Sequence, residues 1–538
     1  MPPSRATLVM TARERHSLAD AAIDGVLRAT ARPYRFLYLD VKSPPWLRAR
    51  LAARAAAGEL EVVPFDTPLW PQEARLRVAA DIDTDYTVFL DNDVDVAPGW
   101  LDALVRCADE TGAGIVGPLY LWGDGVKPPT IHMAGGVLCE TADGTHRVLE
   151  ERHELQDADA AAAAALTRRP CDYVEFHCML VRTSLLRGDS ILDGRLRCVH
   201  EHIDASLTAK ERGSATVFEP AARVTYLALA DYRLDDLAFF RSRWTSAETE
   251  ANIATFCRKW NVVDDARSFA GVRTFIIKHL GQVDLLHPTC RAARDAPMPL
   301  EALCQTRSAL LDAAARIGYR PDELEFIARA YHIAHMLADA GYRPCGRPFI
   351  NHLVGTASVL VHYGLRAEAV AAGLLHAAYT HSPPHSGGSR AALTLVREML
   401  GGRGHAIESR VRAYTRASAN GVSMRSAGGD VGAMSLPEAE VAVVDAANEL
   451  DMHLSGEFRY SKRSDMMTAD AFHRVVEVCA LLELPGLHAS LARARDDRTD
   501  VAPTLVTSMP MSYRISRDRG GAVAMAVNEL SALSAPDF

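Results

Sequence analysis

Hydrophobic and polar positions come in alternating blocks from the start of the chain. Residues 6–11 (ATLVMT) read as a strand, 18–29 as an Ala-rich helix, and 34–40 (YRFLYLD) as a second strand ending in an acid. A helix over 47–57 and a third strand at 60–64 follow. This βαβαβ order predicts a right-handed parallel sheet whose ligands lie beyond the carboxyl ends of its strands. Residues 87–90 form a β-prone run with no polar break, as in a strand covered on both faces. A helix over 100–110 and a strand at 114–121 come next. The acidic, Ala-rich stretch 150–167 reads as an exposed helix or a mobile insertion lying over the strand ends as a lid. Further strands are expected at 171–181 (CDYVEFHCMLV) and 222–227.

The pattern then changes. From residue 299 it is helix after helix: 300–317, 322–340, 349–361, 367–376, 389–400, 406–415, 437–454, 469–484 and 487–495, an all-α domain. Residues 498–521 read as loop, and only 522–533 of the tail shows periodicity. The expected division is an α/β domain over 1–265, a connecting segment over 266–297, an all-α domain over 298–496 and an irregular tail over 497–538.

A chain of 538 residues is too long for one ordinary core. With 48% hydrophobic and 24% charged residues it has a globular composition, and a net charge of -9 without a dense basic run argues against a nucleic-acid surface. Its ten cysteines include no Cys-x-x-Cys pair, which fits reduced thiols in the cytoplasm better than a disulfide framework or a zinc ribbon. The first apolar run is cut by Arg13, Glu14 and Arg15, unlike a signal peptide, and no run of 18 apolar residues predicts a membrane span.

The chemistry concentrates at residues 87–96, TVFLDNDVDV. The apolar run stops at Asp91, Asp93 and Asp95, with Asn92 inside and Pro98-Gly99 closing the turn. Such crowding is costly unless a positive charge sits between the acids, and Mg²⁺ or Mn²⁺ would supply it while leaving positions open for phosphate oxygens. The plainer reading is an acidic loop after a strand. Thr11, Arg13 and Glu14 after the first strand, and Asp40 after the second, fall at the same sheet edge.

With these motifs, residues 6 to about 262 resemble a family 2 glycosyltransferase of the GT-A nucleotide-sugar fold. The resemblance implies that Asp40 contacts base or ribose, that Arg75 in EARLRVAADIDTDY precedes the metal motif, and that Asp91-Asn92-Asp93 binds metal and diphosphate. Leu76 departs from the pattern, since the family often has Asn there. Asp93 is the expected metal ligand, with Asp91 on the ribose or reaching the metal through water. In the family a Glu-Asp-x-Asp-Leu segment opens a helix and supplies the general base. Here residues 200–207 read HEHIDASL, so Asp204, then Glu201, are the candidates, with His202 a third. Glu175 and His177 either point into the cleft or pair within the sheet, His132 reads as a loop histidine, and Arg241 or Arg243 reaches the diphosphate or forms a surface ion pair.

In the helical half, residues 346–381 (GRPFINHLVGTASVLVHYGLRAEAVAAGLLHAAYTH) resemble the HD superfamily, nearest the hydrolase domain of stringent-response alarmone enzymes. The resemblance places His352 and His376 at the metal. Ala377 stands where the pair's Asp belongs, and Asn448 in AANELD stands where a later acid is expected, so the cage is short of carboxylates.

The resulting expectation is an α/β GT-A domain with a mostly parallel sheet, followed by an all-α HD-like domain. The expected activity is metal-dependent inverting transfer of the hexosyltransferase type, using Mn²⁺ or Mg²⁺ and a nucleotide-diphosphate sugar, UDP-sugar first, with an undefined acceptor. The other readings make the HD-like half a phosphohydrolase or oxygenase, or a module that only binds nucleotide, carrier or partner.

Overall fold

The structure, a computed structural model, describes residues 4–31, 33–67, 69–123, 128–143, 146–227, 232–265, 268–290, 292–338, 341–380, 388–419, 431–460, 469–500, 513–517 and 523–527. It divides into two compact units, Met1–His279 and Leu280–Phe538.

The first unit is built on one large sheet with strand order β10-β12-β6-β11-β4-β1-β2-β3. Its parallel half comprises β1 (Ala6–Thr11), β2 (Arg35–Val41), β3 (Glu61–Phe65) and β4 (Tyr86–Asp91). Every residue of β1 and β4 is buried, which is why these runs carry no polar alternation. In their parallel register Thr11 lies opposite Asp91, so the two loops that follow emerge side by side. Short β5 (Val94–Val96) then pairs with β12 (Thr216–Tyr226). The second half contains β6 (Ile115–Trp122), with β7 (Thr130–Met133) on it, and β10 (Arg169–Pro170). Antiparallel β11 (Cys178–Arg182) joins the halves by pairing with both β4 and β6. It is shorter than the strand expected at 171–181, because Tyr173–His177 leave the ladder and turn toward the strand ends.

Helices α1 (Ala19–Ala29), α2 (Pro45–Ala56), α3 (Pro71–Ala79) and α4 (Trp100–Thr111) connect the strands, followed by α5 (Glu201–Glu211), α6 (Leu237–Arg243), α7 (Ser246–Trp260) and α8 (Ala270–Val283). The last occupies part of the segment expected to be a connection.

One expectation fails clearly. Residues 150–167 are not a long helix: β8 (Gly136–Asp143) and β9 (His146–His153) form a separate two-stranded hairpin, and only Ala160–Ala165 makes a 3₁₀ turn, capped by Asp159. Cross-strand pairing overrode the helix propensity of the Glu and Ala residues. Gly136 lets the hairpin lie on the ring of Tyr173, where a Cβ would stand 2.3 Å from ring carbons.

The second unit is helical: α9 (Arg307–Ile317), α10 (Pro321–Ala338), α11 (Phe349–His362), α12 (Ala367–Leu375), α13 (Gly388–Met399), α14 (Gly404–Ala419), α15 (Leu436–Leu454), α16 (Ala469–Leu481) and α17 (Pro485–Asp500). Residues expected to be loop or periodic tail instead supply a small sheet, with β14 (Tyr513–Arg517) between β13 (Gly341–Tyr342) and β15 (Val523–Val527). The rest of 498–521 lies largely outside the described residues. Among the described residues no helix is long and apolar enough to cross a membrane.

Candidate active site

A cavity of about 680 Å³ opens at the carboxyl ends of the strands in the first unit. Asp91, Arg13 and Arg75 line one side, and Glu201, His177 and Arg243 are also on its wall. Asp91 arrives as the last residue of β4. Arg75 comes from α3, which starts at a Pro and is capped by the Glu73 carboxylate on the Trp70 N–H. Its guanidinium is buried 4.1 Å above the ring of Phe176 and donates to Asp91 Oδ1 at 2.9 Å.

The acids therefore sit among fixed cationic side chains. Asp91 Oδ2 is 3.0 Å from His177 Nδ1 and 3.7 Å from Arg13 Nε. Burial alone would raise the Asp91 carboxyl, but the His177 hydrogen bond with Arg13 and Arg75 brings it below the usual range. Arg15 Nη2 lies 3.5 Å from Asp93 Oδ2 while donating to the Leu227 carbonyl at 2.7 Å. Much of the positive charge expected between these carboxylates thus comes from arginines of the β1 loop and α3 instead of a dication.

Asp93 nevertheless differs from Asp91. Both its oxygens are fully buried without a hydrogen-bond donor, and burial pushes its carboxyl above the usual value, with Arg15 offsetting only part. An orphaned buried carboxylate is what a hard cation would satisfy. Asp91, Asp93 and His177 each place a ligand atom within 4.8 Å of the others, two oxygen donors and one imidazole nitrogen, and this set fits Mn²⁺ or Mg²⁺.

Several expected contacts turn inward instead. Asn92 accepts from the Arg13 N–H at 3.1 Å and donates to the Arg15 carbonyl, so its amide shapes the arginine loop rather than meeting a ligand. Glu14 is buried, accepting from the Tyr232 hydroxyl at 2.7 Å, with His279 at 3.3 Å. Asp40 accepts from the Ser43 N–H at 2.8 Å, closing the turn after β2, and Thr11 is buried at the strand end.

The two candidate bases have different surroundings. Asp204 is committed to Lys259, 2.7 Å away, and to the indole N–H of Trp260 at 2.8 Å, and it does not line the cavity. Glu201, one helical turn earlier, does. It is delivered by His200, which caps α5 in a left-handed conformation (φ 59°) that non-glycine residues adopt rarely. Replacing Asp204 with Asn is accordingly expected to cost about 1–3 kcal/mol of stability, read by denaturant unfolding.

Sequence reasoning did not assign Arg15, or Glu151 and His153 on β9, to the site. It left Arg243 open. Arg243 is 2% exposed, lines the cavity, and its Nε and Nη1 have no hydrogen-bond acceptor, so it is a buried cation with donors to spare.

The helical unit has a smaller polar cluster. His352 and His376 do come together, with ring centroids 5.2 Å apart. The acid that meets His352 is Asp451, at 2.7 Å, and not Asn448 one turn earlier on α15. Asp451 is already held by two hydrogen bonds from Arg347, at 2.9 and 3.0 Å, and Glu457 is paired with Arg343. His376 spends Nδ1 on the Gly373 carbonyl, and burial takes its pKa down to about 4. Gly355 makes room for this arrangement, since a Cβ there would stand 1.8 Å from Asp451 Oδ1. Gly355→Ala is expected to destabilise the unit by about 1–3 kcal/mol or more, measurable as a lowered midpoint in thermal or urea unfolding.

Residues 7–170 match the family model for glycosyl transferase family 2. No curated protein matches the chain significantly. Solved structures similar to it include GalNAc-T7 with UDP, GalNAc and Mn²⁺, at 16% identity and TM-score 0.34 over 41% of this chain and 42% of that one. Another is S. aureus TarS 1–349 in complex with UDP-GlcNAc, at 11% identity and TM-score 0.29 over 58% of this chain and 87% of that one. The chain thus spans under half the length of the first of these. The family match falls within the first unit and covers under half of the chain.

Proposed function

We propose that the chain transfers a sugar from a nucleotide diphosphate to an acceptor hydroxyl with inversion, using Mn²⁺ or Mg²⁺. The observation that carries this reading is one cavity lined by Asp91, a buried arginine with free donors and a separate carboxylate, Glu201, with Asp93 buried behind Asp91 in the same cluster of ligand atoms. A diphosphate needs several positive donors. Arg13, Arg75 and Arg243 lie on the wall to supply them, as planar guanidiniums suited to phosphate oxygens. Asp93, Asp91 and His177 would hold the cation, which when bound neutralises charge developing on the leaving diphosphate.

Inverting displacement needs a base that takes the acceptor proton on the face opposite the leaving group. Glu201 fills that role. Glu201→Gln is expected to lower kcat by about 10²–10⁴-fold while leaving nucleotide binding nearly unchanged, as judged by steady-state kinetics beside calorimetric titration with nucleotide. A panel of nucleotide sugars, UDP-sugars first, assayed for cation-dependent turnover tests the reading as a whole; no turnover and no nucleotide binding with either cation would remove it.

For the helical unit the reading is an accessory or substrate-positioning domain. Its nearest approach to a metal cage is Asp451 and Glu457, and each of those acids is already balanced by an arginine.

A further inference from the structure

The same cavity carries a second cluster beside the nucleotide set, in contact with it where His177 Nε2 lies 3.5 Å from Glu175 Oε2. His132 arrives on β7, Glu151 and His153 on β9, Glu175 on the turn before β11, and His202 on the first turn of α5. Four separate elements thus converge imidazoles and carboxylates on one spot.

The geometry is compact. His132 Nε2 lies 2.9 Å from Glu175 Oε2, and His153 Nε2 lies 3.7 Å from Glu175 Oε1 and 3.1 Å from Glu151 Oε1. His202 Nε2 is 3.5 Å from Glu151 Oε1. Ligand atoms of His132, His153 and Glu175 all fall within 4.8 Å of one another, as do those of Glu151, Glu175 and His202. The backbone beneath is rigid: the Tyr120 hydroxyl accepts from the Glu175 N–H at 3.1 Å and lies 2.9 Å from the Glu175 carbonyl. The imidazole of His132 is 7% exposed, and its Nδ1, like Nδ1 of His153 and Nε2 of His202, has no hydrogen-bond partner. For His132 and His153 the unpartnered nitrogen is opposite the Nε2 that meets a carboxylate, so Nε2 is the ligand atom on both, whereas on His202 Nε2 itself is unpartnered and turned to Glu151.

We propose that this cluster binds a first-row transition-metal dication, Zn²⁺ or Fe²⁺, through His132, His153 and Glu175, with Glu151 and His202 beside it. Two imidazoles and one carboxylate suit these ions, whereas the nucleotide side of the cavity, richer in oxygen donors, suits Mg²⁺ or Mn²⁺. The site lines the same cavity as Glu201, where a bound ion polarises a coordinated acceptor hydroxyl and so sets which acceptors react.

The test uses the full chain, stripped with chelator and then incubated with Zn²⁺, or anaerobically with Fe²⁺, followed by desalting and elemental analysis. One equivalent of either ion should remain in the wild type and in Asp93→Ala, and be lost in the double variant His132→Ala, His153→Ala; which ion is retained distinguishes the two. Retention by the double variant, or no retained ion in the wild type, would overturn the site. Since that variant could misfold, the wild type loaded with Co²⁺ offers a second readout. Visible absorption bands of nitrogen-ligated cobalt, bleached by one equivalent of Zn²⁺, support the assignment, and their absence refutes it. Retention in Asp93→Ala separates this outcome from the nucleotide reading, which depends on Asp93.

Discussion

Asp93→Ala is expected to abolish the cation-dependent rise in melting temperature that UDP confers, and to lower sugar transfer by about 100- to 1,000-fold. The magnitude follows from several kcal/mol of leaving-group stabilisation attributed to the ion, at 1.36 kcal/mol per tenfold in rate. Asp93 is the right position because its oxygens are buried and without donors, whereas Asp91 is already engaged by Arg75 and His177. Losing Asp93 therefore removes the proposed ligand without breaking a hydrogen bond, although it also ends the 3.5 Å ion pair with Arg15. Scanning fluorimetry with UDP, with and without Mn²⁺, reads the first part, and product formation the second. A variant that keeps its Mn²⁺-dependent shift would detach the cation from this carboxylate.

Arg75→Ala is expected to behave differently, costing about 3–5 kcal/mol of folding stability in urea unfolding, the usual penalty for breaking a buried ion pair on one side. Both partners are nearly inaccessible, with side chains 1% and 3% exposed. The Asp91 carboxylate would lose its shortest ion pair, and the ring of Phe176 would lose the guanidinium 4.1 Å above it. Removing both charges, as Arg75→Met with Asp91→Asn, should recover much of that loss because no unpaired ion is left buried. If the single variant unfolds with wild-type stability, the pair is not structural and the arginine serves only the ligand.

The parallel half of the sheet was legible because β1 and β4 are unbroken apolar runs, and a run buried on both faces has no other way to read. Asp91 could be placed from its position at the end of β4, and Arg75 and Glu201 from the helices α3 and α5 that precede and follow it in the chain. Asp204 could not be separated from Glu201, since helix spacing puts both in the first turn, and the contacts that divide them come from Lys259 and Trp260 on α7, more than fifty positions away. Arg15 and Arg243 owe their roles to tertiary folding in the same way. The hairpin was missed for another reason. Its acidic second strand resembled an exposed helix, although the Asp143-Gly144 dipeptide between two β-prone runs was a turn signal that could have been used. In the helical half, a register one turn off put Asn448 in the place that Asp451 takes.

The β8–β9 hairpin belongs to no part of the main sheet, yet Glu151 and His153 at its end form part of the cavity wall. It is tied to the rest of the unit by the bridges Gly136–Tyr173 and Arg147–Val262. Such an appendage can change in length and sequence while the strands carrying Asp91 stay as they are, so on the proposed reading acceptor choice becomes a separately adjustable trait. Grafting a different ribbon at Gly136 should retune what is glycosylated without altering which activated sugar is consumed.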